Sequence, residues 1–293
     1  MNHRLTQQNE FVDLIELVGR SDISSIKNIV SGIIRIINDA KSSVKELNDI
    51  IQVDPPLTSR VLRLANSSYY SPPDKISEIT RAVIWVGYDA IKELALSQKV
   101  CEIFKKDDSI EGYSRKALWK HSLAVALFGK MIYRREYGES GENIYAAGLL
   151  HDIGLIVLDQ FCTDEFKDIL RMSSNDGNNV AEAELKILGF THAELARAIM
   201  ESWNIPNELC VAISSHHNPE GVDQEFSKIV NTIYIADYFC QERGIGYGDA
   251  PLSDKSVFQS CMRALKIENN SLDLIIEDVE EEIKKMEEEG FFN

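Results

Sequence analysis

The sequence lacks the features that would place it in a membrane or in a disulfide-bonded secreted framework. No apolar run approaches the roughly 18 residues that a membrane span requires, and the polar N-terminal segment has no apolar core of signal-peptide length. The five cysteines are odd in number, far apart and without a CxxC pair, which favours reduced, mostly buried thiols in a cytosol. We therefore expect a cytoplasmic protein that does not associate with a membrane.

Positive charge is also scarce. Lys and Arg number 31 against 47 Asp and Glu, which gives a formal net charge of −16. This balance argues against a general affinity for DNA, RNA or anionic membranes. The segment 273–289 alone has nine acids and two lysines, so the rest of the chain leaves room for a local basic pocket that could bind a phosphate group.

Strand patterns are missing as well, since no segment shows sustained alternation bounded by hairpin turns. Apolar residues recur instead at helical spacing, for example at Ile26, Ile29, Val30, Ile33, Ile34 and Ile37. Ser43 with Glu46, and Thr191 with Glu194, form the S/T-x-x-E pattern of a capping box, which marks the start of a helix. The sequence therefore predicts an all-α fold.

Local composition predicts where several helices begin and end. Asp54-Pro55-Pro56 interrupts one helix, so the next is predicted to begin near Leu57. The polar segment 173–179 is predicted to be a loop. A later helix is predicted to run through His217, where Asn218-Pro219 stops it.

The C-terminal segment has the pattern of an amphipathic helix. Its apolar residues are spaced by 4, 3, 4 and 3, and they are Leu272, Ile276, Val279, Ile283 and Met286. The positions between them are nearly all acidic, so an isolated helix would repel itself and would not be stable. Because the apolar seam is too short for an independent coiled coil, we expect it to dock on its own chain.

Seven residues that can bind a metal lie in segments that are predicted to be helical, mostly on the apolar face: His121, His151, Asp152, His192, His216, His217 and Asp237. Imidazoles and carboxylates that point into a core must be paired, protonated or bound to a metal. Taken singly, His121 is more simply a hydrogen-bonded core histidine, and His217 is equally well explained as a helix cap. Asp237 is the most telling single residue, and its alternatives are a buried salt bridge or a helix cap. Taken together, the seven favour a metal cage assembled from several helices. Nitrogen and oxygen donors without thiolate suit iron, manganese, zinc or nickel, so we expect one or two divalent transition-metal ions.

The chain resembles the HDOD family, which are signalling domains of the HD superfamily related to the HD-GYP cyclic-dinucleotide phosphodiesterases. The resemblance covers roughly residues 20 to 240. The matching segments are Ile50-Ile-Gln-Val-Asp-Pro55, 57–67 with Val61-Leu-Arg-Leu-Ala-Asn-Ser67, Arg81-Ala-Val-Ile-Trp-Val-Gly87, His192, Trp203-Asn-Ile-Pro206 and His216-His217.

The resemblance implies how the chain is divided and which residues share a metal. With the polar run 105–112 as the best internal boundary, we predict an N-terminal helical subdomain over 1–108, an HD-like metal-binding subdomain over 109–265 and an acidic amphipathic helix over 266–293. By position, one metal would be held by His121, His151, Asp152 and Asp237, with Asp152 bridging. The second metal would be held by His192, His216 and His217.

Two features of the active HD-GYP relatives are missing. The lysine of their HD-x-G-K motif is Leu155 here, and the segment 218–223 replaces their Gly-Tyr-Pro loop. We therefore predict a regulatory module for signal transduction, with a retained metal site, weak or no catalysis, a protein partner and room for a nucleotide phosphate. The alternative is a metal-dependent phosphohydrolase that acts on a nucleotide or a cyclic dinucleotide. Lys120 and Arg197 could then bind phosphate in place of the missing lysine, although each is more simply a solvated surface charge.

Overall fold

A computed structural model of the chain describes residues 2–67, 70–105, 110, 112–176, 179–247 and 255–288, with side chains left out for 2–9, 175 and 176. Within these ranges the secondary structure is helical, and the β-structure amounts to one isolated bridge between Ile110 and Tyr113. The predicted all-α fold is confirmed.

The described residues form two compact units, one of 25–102 and one of 1–24 together with 103–293. The larger unit begins with α1 (Asn2–Gly19). The smaller unit contains α2 (Lys27–Asn38), α3 (Val44–Gln52), α4 (Pro55–Ala65), α5 (Ile79–Val86) and α6 (Tyr88–Val100). The larger unit resumes with α7 (Arg115–Ile132), α8 (Glu142–Leu150), α9 (Ile153–Phe161), α10 (Thr163–Asp176), α11 (Val180–Ile187), α12 (His192–Ser202), α13 (Asn207–Ser214), α14 (Ser227–Glu242), α15 (Lys255–Leu265) and α16 (Asn269–Glu288). Short 3-10 helices span Asp22–Ile26 and Cys101–Phe104, and a π-helix spans Tyr133–Tyr137.

The predicted division of the chain stays a prediction. Its boundary between 108 and 109 lies outside the described residues. The compact unit of 25–102 falls within the predicted N-terminal subdomain of 1–108, while α1 belongs to the larger unit.

Both predicted capping boxes are present, at Ser43 with Glu46 and at Thr191 with Glu194. Helix α4 begins two residues earlier than predicted, at Pro55, because proline is tolerated in a first turn where no main-chain N–H is needed.

The predicted loop at 173–179 is partly wrong, since α10 continues to Asp176. The hydroxyls of Ser173 and Ser174 donate to the carbonyl of Leu170 at 3.0 and 2.8 Å, so these polar side chains are satisfied inside the helix. Residues 177 and 178 of that segment lie outside the described residues.

A buried charge cluster lies in the smaller unit. The Asp54 carboxylate caps α4 by accepting from the Leu57 N–H at 2.9 Å. The Lys99 ammonium of α6 donates to Asp54, and it also donates to Glu102 at 2.8 Å. Asp54 and Lys99 are both buried, so the chain itself supplies the cation that this carboxylate needs.

The acidic helix α16 docks on its own chain, as predicted. It packs against α7, and its buried residues are Leu272, Ile275, Ile276, Val279 and Ile283. Ion pairs join its polar side to the same unit, namely Lys120 with Glu287, Arg243 with Asp273 and Arg135 with Asp278. Glu289 lies outside the described residues. The apolar seam thus stabilises the larger unit in cis.

The expectation that no apolar run approaches the length of a membrane span is wrong by composition for one described stretch, residues 142–161, which is long and apolar enough to cross a membrane. The stretch comprises α8 and α9, and 89% of its most apolar window is buried inside the protein. Burial to this extent is typical of helices in the core of a folded domain. All five cysteines are free, and Cys210, Cys240 and Cys261 are buried.

Candidate metal centre

The seven predicted ligands come from separate elements of the larger unit. His121 lies within α7, His192 begins α12 and Asp237 lies within α14. His151 and Asp152 occupy the turn between α8 and α9. The prediction that a helix runs through His217 is wrong, because α13 ends at Ser214 and both His216 and His217 lie in the following turn.

Helix ends explain why histidines stand at these turns. The last carbonyls of a helix have no partner within the helix. Nδ1 of His151 lies 2.8 Å from the Gly148 carbonyl oxygen, and Nδ1 of His216 lies 2.5 Å from that of Ile213. Each ring therefore satisfies a carbonyl three residues back along its own chain.

These contacts assign the tautomers of the rings. A carbonyl oxygen only accepts, so Nδ1 must carry the proton in His151 and His216. His192 is held in the same way by a carboxylate, since its Nδ1 lies 2.8 Å from Oε2 of Glu184. In the neutral form of each ring, Nε2 then presents the lone pair that can bind a metal, which is the usual arrangement around a protein-bound metal.

One group of potential ligands consists of Asp152, His192, His216 and His217, and their donor atoms all lie within 4.8 Å of one another. Oδ1 of Asp152 is 3.6 Å from Nε2 of His192 and 3.5 Å from Nε2 of His216. Nε2 of His192 is also 3.4 Å from Nε2 of His216 and 3.1 Å from Nε2 of His217. Unshared electron pairs at such distances repel unless a cation or a proton lies among them.

A second group consists of His121, His151 and Asp152, again with donor atoms within 4.8 Å of one another. Oδ2 of Asp152 lies 3.0 Å from Nε2 of His151 and 3.9 Å from Nε2 of His121. Asp152 therefore belongs to both groups, with one oxygen directed to each. The assignment of these residues as metal ligands stays a prediction.

Asp237 stands at the edge of this arrangement. Its Oδ1 is 3.0 Å from Nε2 of His121 and its Oδ2 is 3.8 Å from Nδ1 of His217. Gln241, one turn later on α14, donates to Oδ1 at 2.9 Å. Asp237 is thus a neighbour of both groups without being a member of either compact set.

Burial gives the cluster one accessible side. The side chains of Asp152, His192 and His216 are at most 1% exposed, whereas that of His217 is 23% exposed. Within the described part of the chain, neither oxygen of Asp152 has a hydrogen-bond partner. A buried carboxylate without donors is costly, so the donor set fits a bound cation.

The charge states follow from this environment. Burial tends to raise the pKa of Asp152, but His151 and His216 hold that pKa well below its ordinary value. Burial, helped by the neighbouring His217, lowers the pKa of His216 to about 4. Burial opposes charge on His151 too, yet the Asp152 carboxylate raises the pKa of that ring overall. A proton and a metal ion therefore compete for Nε2 of His151.

Glycines let the ligand-bearing elements approach closely. A Cβ on Gly154 would stand 2.1 Å from the carbonyl oxygen of His192, and a Cβ on Gly246 would stand 2.6 Å from the main-chain nitrogen of His121. On α8, a Cβ on Gly148 would stand 2.6 Å from Cα of Ala126. Any larger residue at these positions would separate the helices that bring the donors together.

Sequence reasoning missed Gln241, which donates to Asp237, and it also missed Glu184 on α11. Its carboxylate is fully buried and contacts both the ring and the main chain of His192. The available signal was a charged residue on an apolar stripe, with Val180 four residues before it and Leu188 four residues after it.

The two cations considered for phosphate binding have acidic partners. Nζ of Lys120 is 2.7 Å from Glu287, and Nε of Arg197 is 2.8 Å from Glu201. Leu155, at the position of the missing lysine, is fully buried.

Comparison with known proteins places this fold. The family model of the HDOD domain matches residues 23–219. An uncharacterized protein of Treponema pallidum (strain Nichols) is 23% identical over 223 residues, which is 74% of this chain and 42% of that protein. The chain thus spans less than half the length of this curated relative.

Several solved structures share the fold. An HDOD domain protein with unknown function from Geobacter sulfurreducens is 29% identical, with a TM-score of 0.73 over 88% of this chain and 90% of that one. A protein from Marinobacter aquaeolei VT8, whose name proposes signal transduction, is 22% identical, with a TM-score of 0.71 over 90% of this chain and 58% of that one. A protein from Shewanella amazonensis SB2B, whose name proposes a phosphohydrolase, is 21% identical, with a TM-score of 0.67 over 94% and 93%. The last two likenesses establish the fold alone.

Proposed function

Because this chain belongs to the HDOD domain family, we propose that it is a regulatory module for signal transduction that binds a divalent transition metal and hydrolyses phosphoesters weakly or not at all. The module would act through a protein partner. A nucleotide phosphate would approach the centre from the side of His217, where the site is most exposed.

The observation that carries the proposal is the environment of Asp152. Its carboxylate is buried and has no hydrogen bond among the described residues, while imidazole nitrogens stand on either side of it. The donors for one ion would be Asp152, His192, His216 and His217, and those for a second ion would be His121, His151, Asp152 and Asp237. Such nitrogen and oxygen donors suit iron, manganese, zinc or nickel. A bound ion would supply a fixed positive charge and a Lewis acid.

We propose weak catalysis because the described residues offer few cationic side chains that could bind a phosphate at the centre. Leu155 is buried where the active relatives have a lysine, and Lys120 and Arg197 each have an acidic partner. A phosphate at the centre would therefore find little cationic support beyond the metal itself. Binding without efficient turnover is the expected result.

Metal analysis tests the proposal directly. Protein purified without chelator or added metal should contain about one to two transition-metal ions per chain, and Asp152→Ala should lose most of them and melt at a lower temperature. Asp164→Ala is the control, because that carboxylate is 94% exposed on α10 and should leave the metal content unchanged. A wild-type content below about a tenth of an ion per chain, in both aerobic and anaerobic preparations, would leave only a cluster of core histidines and refute the proposal.

A second function, metal-dependent phosphohydrolysis, is favoured by one observation. Asp152 is shared between two groups of donors, and a carboxylate shared in this way is typical of sites with two catalytic metals. We expect cyclic di-GMP turnover with Mn²⁺ or Fe²⁺ to stay below about 1 s⁻¹. Faster turnover that disappears in Asp152→Ala would replace the regulatory proposal with the enzymatic one. A general phosphoesterase screen under the same conditions covers other substrates.

A further inference from the structure

Glu184 accepts hydrogen bonds from two N–H groups of a single residue of the metal centre, and one of these bonds is shared between both carboxylate oxygens. The main-chain N–H of His192 donates to Oε2 at 2.9 Å. Nδ1 of the same residue lies 2.9 Å from Oε1 and 2.8 Å from Oε2. The Glu184 side chain is fully buried, so the carboxylate has been taken out of water to hold both the backbone and the ring of one histidine.

Capping of α12 alone does not account for this arrangement. That helix already has a complete capping box, in which the Thr191 N–H donates to Glu194 at 2.8 Å and the Glu194 N–H donates to the Thr191 hydroxyl at 3.2 Å. Glu184 adds a bond to the next main-chain N–H and, in addition, fixes a side chain that capping does not involve. The ring contact therefore calls for a separate explanation.

The ring contact decides which nitrogen of His192 faces the other donors. With the Nδ1 proton directed at Glu184, the neutral ring presents its Nε2 lone pair to the other donors, and Nε2 lies 3.6 Å from Oδ1 of Asp152 and 3.4 Å from Nε2 of His216. The opposite tautomer would put a proton where an ion has to bind. His151 and His216 obtain the same orientation from neutral carbonyls, whereas the acceptor for His192 is a carboxylate. A carboxylate partner makes the ring a stronger electron-pair donor to a metal.

We propose that Glu184 is a positioning residue for His192, which it holds in the Nδ1–H tautomer with Nε2 directed at Asp152. Resting on the proposed metal-binding function, the proposal further states that this contact raises the affinity of the centre for its ion. The negative charge on Glu184 makes the larger contribution to affinity, and the hydrogen-bond geometry fixes the tautomer.

Metal affinity, measured by competition with a chelator, gives the first test. Glu184→Ala should weaken binding by about 10- to 100-fold, and Glu184→Gln should fall between wild type and Ala, because its amide oxygen accepts from Nδ1–H without a charge. Glu194→Ala is the matched control, since it removes an acidic cap from the same helix without touching the His192 ring, and it should keep wild-type affinity. Wild-type affinity in folded Glu184→Ala would overturn the proposal. Should the Ala variant fail to fold, the Gln variant decides in the same way.

The tautomer of His192 in metal-free protein gives a second test that does not need a bound ion. Nitrogen-15 NMR of the imidazole rings, assigned through His192→Gln, should show the Nδ1–H form in wild type and in Glu194→Ala, and a loss of that preference in Glu184→Ala. An Nε2–H form in wild type would overturn the positioning role. Failure of the wild-type protein to bind metal, with the Nδ1–H form intact, would refute the proposed function while leaving the positioning role standing.

Discussion

Two buried carboxylates, one in each unit, show two ways in which a chain can treat a charge in its interior. Asp54 in the smaller unit accepts from the Leu57 N–H and from the Lys99 ammonium. Asp152 in the larger unit is more deeply buried and has no hydrogen bond within the described residues, and its close neighbours are imidazoles. The chain supplies the counterion of the first carboxylate. For the second carboxylate the counterion is a proton on a neighbouring imidazole or, under the proposed function, a metal ion.

This difference distinguishes a buried charge that stabilises the fold from one that can bind a ligand. A buried carboxylate with its own cation stabilises one packing arrangement and offers nothing to a ligand. A buried carboxylate whose oxygens lack donors points to a group that binds later.

The largest effect is expected when the internal counterion is removed. Lys99→Met leaves Asp54 buried without its cation, and loss of one partner from a buried pair costs about 3–5 kcal/mol of unfolding free energy. Urea denaturation measures this change. Lys45→Met, at an exposed position of α3, is the control and should be nearly neutral. A loss below about 1 kcal/mol in Lys99→Met would mean that the pair behaves like a surface ion pair.

Added metal should stabilise the protein through Asp152 and not through Asp54. At an ion concentration about 1,000 times the Kd, wild type should gain about 4 kcal/mol of unfolding free energy, seen as a higher melting temperature that a chelator reverses. Asp152→Asn should abolish the gain. Asp54→Asn should melt lower throughout and still respond to metal. An equal response in both variants would contradict the comparison.

A smaller effect is expected when a side chain is placed in the close contact between α9 and α12. In Gly154→Ala the new methyl group collides with the His192 carbonyl, so the unfolding free energy should fall by about 1–3 kcal/mol. Metal affinity should fall with it, because His192 moves away from Asp152. The control is Gly19→Ala at the end of α1, where a Cβ meets nothing within 4 Å. Unchanged metal affinity in the Gly154 variant would show that the close approach serves packing alone.

The smallest expected effect is on how the stability of the protein changes at low pH. Burial tends to raise the pKa of Asp54, but the hydrogen bonds from Lys99 and Leu57 lower that pKa below its ordinary value of 3.8. A lowered folded-state pKa means that the stabilisation is present above 3.8 and is lost as the pH falls through the folded-state value. The stability difference between wild type and Asp54→Asn should therefore shrink below pH 3.8 in denaturation curves. A difference that stays constant down to pH 2 would contradict the pKa shift.

Much of the fold could be predicted because it depends on local patterns. The capping boxes at Ser43 and Thr191, the buried faces around His121 and Asp237, and the docking seam of α16 all follow from spacing within one segment. The helix end before His216 could not be predicted, because a ring that bonds the carbonyl three residues back ends a helix without changing its apolar periodicity.

The partners in the contacts that support the centre also could not be predicted from the sequence. Glu184 contacts His192 from a different helix, and nothing in their separation of eight residues indicates this pairing. Small residues around Gly154 indicate a close approach of helices, but the sequence does not indicate that the partner is the backbone of α12. The chemistry of a donor can be inferred from residue type, whereas its orientation depends on tertiary packing.

The partial exposure of His217 has a kinetic consequence. An ion held among these donors would leave past this one histidine, through a turn that the His216 ring ties to the Ile213 carbonyl. The exchange rate would then depend on how often the turn opens, and not on affinity alone. The ion that co-purifies would record which metals were present while the chain folded, and a brief soak in a competing metal would exchange little of it.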